Sequence, residues 1–82
     1  MATNILVLND EENTLGPLIQ ELAKGGYTPY STTNADDCVD LFETVKPAVL
    51  FLNLKTIGAL DSVQVIRMDP SGETVPILFI GT

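Results

Sequence analysis

The residues best equipped for chemistry in this 82-residue chain sit in polar clusters that directly follow apolar runs. Asn9, Asp10, Glu11 and Glu12 come after Ile5-Leu6-Val7-Leu8. Asn53, Leu54 and Lys55 come after Ala48-Val49-Leu50-Phe51-Leu52, and Gly81 and Thr82 come after Ile77-Leu78-Phe79-Ile80. Carboxylates and carboxamides are oxygen donors suited to a hard cation such as Mg2+. Polar residues are common in such places, so composition alone does not make the cluster a cation site. Asn9, Asp10 and Asn53 are equally able to hydrogen-bond a small polar ligand. Other chemistries have less to work with. The chain has no histidine, and so lacks the usual neutral-pH general base and the commonest metal ligand. No glycine-rich loop follows the first run and no G-x-x-x-x-G-K-[ST] stretch exists, so nucleotide binding has no support.

These clusters matter only if the chain brings them together. The three runs are apolar at nearly every position, which fits strands covered on both faces, as in a parallel sheet. They are read as β1 over 5–8, β3 over 48–52 and β4 over 77–80. Leu15, Leu18, Ile19, Leu22 and Ala23 make one stripe at helical spacing, giving a helix α1. Thr14 is its expected N-cap, Pro17 falls in its first turn, and Gly25-Gly26 supply a left-handed stop behind Lys24. The segment 27–31 reads as a strand β2 at a sheet edge, because Pro29 cannot donate to a ladder. Helix α2 runs from Asn34 as N-cap to Pro47 as terminator. Asp36 and Asp37 favour its dipole, and Cys38, Leu41, Phe42 and Val45 form its buried stripe. A helix α3 is expected over 62–69, stopping at Pro70. The order β1-α1-β2-α2-β3-α3-β4 is that of an open α/β fold, whose chemistry gathers beyond the carboxyl ends of the strands.

Composition narrows the partners. Eleven acidic against 4 basic residues give a net charge of −7, which argues against direct binding of a nucleic-acid backbone. The acidity is the ordinary mark of a solvated surface. No apolar run approaches the roughly 18 residues of a membrane helix, and no signal peptide is evident, so a cytoplasmic protein without membrane contact is expected. The lone Cys38 reads as a small core residue. The length suits one small domain, which would bury only ~60–65% of its unfolded surface.

The stretch Ile5-Leu-Val-Leu-Asn-Asp-Glu-Glu-Asn13 resembles the opening of response-regulator receiver domains, an apolar strand followed by Asp-Asp-Glu. The similarity continues through Gly26-Tyr27, Lys46-Pro47-Ala-Val-Leu-Phe-Leu-Asn53, Leu60-Asp61-Ser62 and Val75-Pro76-Ile-Leu-Phe-Ile80. The resemblance implies a flavodoxin-like, receiver-like open parallel sheet with strand order 2-1-3-4. It places the family's acidic pair on Asn9 and Asp10, leaving Asp10 alone as a direct, weak Mg2+ ligand. It places the phosphoacceptor on Asn53, a backbone metal contact on Lys55, and the switch hydroxyl on Gly81, with Thr82 one place beyond.

These departures imply a changed mechanism. A receiver's aspartate attacks phosphorus through a carboxylate oxygen, with Mg2+ offsetting the charge. Asn53 offers a neutral amide in its place. The implied protein is therefore a pseudo-receiver that works by protein contact, without catalysis or a required cofactor. A receiver whose acceptor has moved to Asp10 or Asp61 is the alternative, beside a small-ligand regulatory domain. The resemblance also lacks the family's α4-β5-α5 portion, so residues 1–82 read as a truncated or minimal receiver-like domain. Ile77, Leu78, Phe79 and Ile80 would then form an apolar interaction edge. The expected partner is a protein: a second copy, or the missing part of a longer chain.

Overall fold

β1 (Thr3–Leu8) and β3 (Val49–Asn53) occupy the middle of the sheet because their side chains are apolar on both faces. Leu6, Val7, Leu8, Leu50 and Leu52 have 0% exposure. The computed structural model describes residues 3–68 and 74–80. Its other elements are α1 (Gly16–Lys24), β2 (Tyr27–Thr32), α2 (Ala35–Val45), α3 (Ala59–Met68) and β4 (Ile77–Ile80). The four strands are parallel in the order β2-β1-β3-β4, the topology expected from the sequence.

Strand alternation sorts the core into two layers. Leu6, Leu8, Leu50 and Leu52 point to one face, where Cys38 and Phe42 of α2 and Ala59 and Ile66 of α3 close over them. Ile5 and Val7 point to the other face and meet Leu15, with Ile19 and Leu22 of α1 alongside. Truncating Leu50 to alanine would cost about 2–5 kcal/mol, the usual range for a buried leucine.

The strand ends are set by local chemistry. Asn34 caps α2 as expected, its side-chain oxygen accepting from the N–H groups of Asp36 at 2.8 Å and Asp37 at 3.2 Å. At the other end Lys46 turns left-handed (φ 51°) and Pro47 prevents continuation. β2 lies at the sheet edge, with Pro29 opposite Ile5.

Two expectations need correction and one, the left-handed stop at Gly25-Gly26, is narrowed to a single residue. Thr14 does not cap α1: the N-cap position falls on Leu15 without a side-chain bond, and Thr14 turns back to Asp10. The left-handed turn after α1 is made by Gly26 (φ 91°), while Gly25 keeps a negative φ of −78°. Helix α3 begins at Ala59, three residues before the expected start, because the loop closes early with Ala59 N–H donating to the Thr56 carbonyl at 3.1 Å. Asp61 is therefore in the first turn and does not stand at the N-cap. The expected stop of α3 at Pro70, and Gly81 and Thr82, lie outside the described residues.

β4 is the other edge of the described sheet. Ile77 packs beneath the α2–α3 layer and Ile80 beside the α1 layer, both partly buried. Leu78 and Phe79 remain 48% and 50% exposed.

Candidate functional site

Three of the residues singled out by the sequence meet at the carboxyl ends of the two central strands. Asn9 follows β1 and is 4% exposed; Asn53 ends β3 and is 1% exposed; Asp10 stands next to both and is partly open to solvent. Parallel pairing of Leu8 with Leu52 brings the two strand ends level.

Asn9 is a structural centre. Its side-chain oxygen accepts from the backbone N–H of Asp10 at 2.8 Å and of Leu15 at 3.0 Å. Its amide nitrogen donates to the Asn13 side-chain oxygen at 2.7 Å. Its backbone carbonyl accepts from the Thr56 hydroxyl at 2.9 Å, tying the β3–α3 loop to the end of β1. Asn13 adopts a left-handed conformation (φ 60°), which asparagine tolerates better than most residues. Its side chain packs so closely on Gly16 that a Cβ there would push the Asn13 amide out of this position.

Asp10 is engaged by one neighbour at both oxygens. The Thr14 N–H donates to one at 2.8 Å and the Thr14 hydroxyl to the other at 2.6 Å. These two bonds, hydroxyl first, hold the Asp10 carboxyl below its ordinary value of 3.8, while partial burial opposes them. The Asn53 amide adds a weaker lowering influence, although it stops short of hydrogen-bond geometry with the carboxylate.

Asn53 is satisfied on one side only. Its side-chain oxygen accepts from the Lys55 N–H at 2.9 Å, yet its buried amide nitrogen has no hydrogen-bond partner. Leaving a buried donor unpaired costs roughly 1–3 kcal/mol.

The remaining candidates divide. Asp10, Glu11, Asn34, Asp36, Lys55 and Thr56 line an open cleft of about 560 Å3 between the strand ends and the start of α2. Glu12 is exposed, and Asp61 is exposed on α3, bordering a separate recess. Sequence reasoning missed Thr14, Asn13 and Thr56. The available signal was the Asp-x-x-x-Thr spacing from 10 to 14, which suits a carboxylate bonded to a threonine one turn later.

The donor set does not fit Mg2+. That ion needs nearly regular octahedral geometry and anionic oxygens, and it sheds water reluctantly. Asp10 alone is charged among the three strand-end residues, and both its oxygens are engaged. The Asn9 oxygen faces inward to two amides, and the Asn53 oxygen is held by Lys55. Among the described residues, no group of three or more acidic or cysteine side chains is arranged to hold a metal.

The backbone matches solved receiver structures over nearly its whole length. The N-terminal domain of a response regulator receiver protein from Methanoculleus marisnigri JR1 superposes with a TM-score of 0.81 at 21% identity, covering 95% of this chain and 65% of that one. This is the receiver-domain fold. The receiver domain of a sensor histidine kinase from Pseudomonas aeruginosa PAO1, with magnesium coordinated in its active-site cleft, gives 0.85 at 16% identity, covering 99% and 68%. The signal receiver domain of a DNA-binding response regulator from Colwellia psychrerythraea 34H gives 0.80 at 25% identity, covering 94% and 66%. The chain thus spans about two thirds of the length of the receiver structures it matches. No protein-family model matches the sequence, and no curated protein matches it. No described helix is long and apolar enough to cross a membrane.

Proposed function

We propose that this receiver-like chain is a phosphorylation-independent pseudo-receiver, a protein-contact module of two-component-type signal transduction. The observation that carries this reading is the buried Asn53 carboxamide at the end of β3, where the receiver pattern places its acceptor carboxylate. An amide oxygen shares its electrons with the adjacent nitrogen and is a poor nucleophile toward phosphorus. Asp10 is a weak substitute acceptor, because its oxygens already accept from Thr14. Asp61 stands apart, on the first turn of α3.

The contact surface in this reading is the β4 edge. Ile77, Leu78, Phe79 and Ile80 give it apolar side chains on both faces of the sheet. Exposed apolar edge strands favour pairing with another chain. The proposed occupant is a second copy or a further part of a longer polypeptide, with residues 1–82 acting as one receiver-like unit. Nucleic acid is disfavoured as a direct partner by the charge of −7.

Two measurements test the reading. Incubation with acetyl phosphate and Mg2+, followed by intact mass, should give no hydroxylamine-sensitive adduct; a stoichiometric adduct would sink it. Light scattering after size exclusion at micromolar concentration should show association that Phe79→Lys abolishes. A stable monomer at every concentration would remove self-association and leave only the longer chain.

A further inference from the structure

The family's Mg2+ and this chain's donor set disagree, and the disagreement has a specific local cause. Thr14 presents two donors to one carboxylate: its N–H to one Asp10 oxygen at 2.8 Å and its hydroxyl to the other at 2.6 Å. We propose that Thr14 is a built-in latch that takes up the Asp10 carboxylate in place of a divalent cation, holding the β1–α1 loop in one closed arrangement without metal.

The rest of the loop is built to hold that arrangement. Asp10 and Thr14 are joined through a turn in which the Asn13 N–H donates to the Asp10 carbonyl at 3.1 Å and the Gly16 N–H to the Asn13 carbonyl at 3.0 Å. Asn9 fixes both ends of this turn, accepting from Asp10 and Leu15 and donating to Asn13. The side chain of Asn13 then occupies the space that a Cβ at position 16 would need. A carboxylate so placed has one lone pair of each oxygen and its orientation committed to Thr14, so a cation must compete with those bonds for the carboxylate. The latch is separate from the charge deficit at Asn53, because the bonds between Asp10 and Thr14 do not involve that residue. Its failure would leave the contact-module reading intact, since that reading rests on Asn53.

The test adds one carboxylate and then opens the latch. Mg2+ is titrated into Asn53→Asp, Asn53→Asp with Thr14→Val, and Asn53→Asp with Thr14→Ser, following backbone amide shifts by NMR. Valine keeps the size and the N–H but removes the hydroxyl; serine restores the hydroxyl. Losing one charge-assisted bond should tighten Mg2+ binding about tenfold in the valine variant. The serine variant should bind as weakly as Asn53→Asp alone. Equal affinity with threonine and valine would overturn the latch. A measurement on the unaltered protein needs no variant to fold: a scalar coupling across the hydrogen bond, from the Thr14 amide nitrogen to the Asp10 carboxyl carbon, is expected, and its absence would also overturn the proposal.

Discussion

The carboxyl ends of β1 and β3 lie side by side, yet they are finished in opposite ways. At the end of β1 both polar atoms of the Asn9 side chain are paired, and they bond three further residues of the loop and helix start, Asp10, Asn13 and Leu15. One strand over, Asn53 pairs its oxygen and leaves its buried amide nitrogen without a partner. The same residue type therefore does structural work in one place and leaves a liability in the other. The difference lies in what the chain supplies nearby. The β1–α1 loop folds back to give Asn9 donors and an acceptor, whereas the Asp10 carboxylate that faces Asn53 has been drawn to Thr14.

Exchange of Asn9 should have the largest effect. Asn9→Ala strips the acceptor from two N–H groups, one of them in the buried bond to Leu15, and should cost about 2–4 kcal/mol in urea unfolding. Asn53→Leu, which removes the orphan donor along with one acceptor, should change stability by only about 1 kcal/mol or less in either direction. Equal losses at the two positions would break the comparison. A buried thiol says whether the damage is local. Cys38 has no exposure, and burial pushes its thiol up to about 11, so it should resist thiol reagents until the core opens. If Asn9→Ala loosens only the loop, Cys38 stays protected in native buffer; rapid labelling would mean that the whole domain had opened.

The smallest expected effect is a pH dependence. Thr14 lowers the Asp10 carboxyl below its ordinary 3.8 in the folded state. Such a group adds stability above the unfolded value, and that contribution is lost as pH falls through the folded value. Thr14→Val should therefore lower stability modestly above about pH 4 and leave it nearly unchanged at pH 2, so that the acid limb flattens, as thermal unfolding from pH 2 to pH 7 would reveal. An unchanged acid limb would mean that the hydroxyl contributes nothing to the carboxylate.

Much of this architecture was legible in the sequence, and for identifiable reasons. Unbroken apolar runs mark β1, β3 and β4 as strands in a covered sheet, and Asn34 with Asp36 and Asp37 announces the start of α2. The candidate site was legible as residues but not as bonds. Thr14 reads as an N-cap because threonine before a helical stripe usually is one; only the folded loop shows a carboxylate four residues back competing for it. The start of α3 was misplaced because Ala59 and Leu60 carry no capping signal, and the early turn depends on Thr56 accepting from Ala59.

By itself, the order of side chains determined that four parallel strands would bury leucine and isoleucine between helices, since periodicity and turn residues act over short distances along the chain. It also determined that a carboxamide would stand at position 53. Only the tertiary structure decided which polar atoms would be paired there. Hydrogen bonds at the strand ends join residues as far apart as Asn9 and Thr56, and their geometry exists only after the sheet has set the two loops against each other.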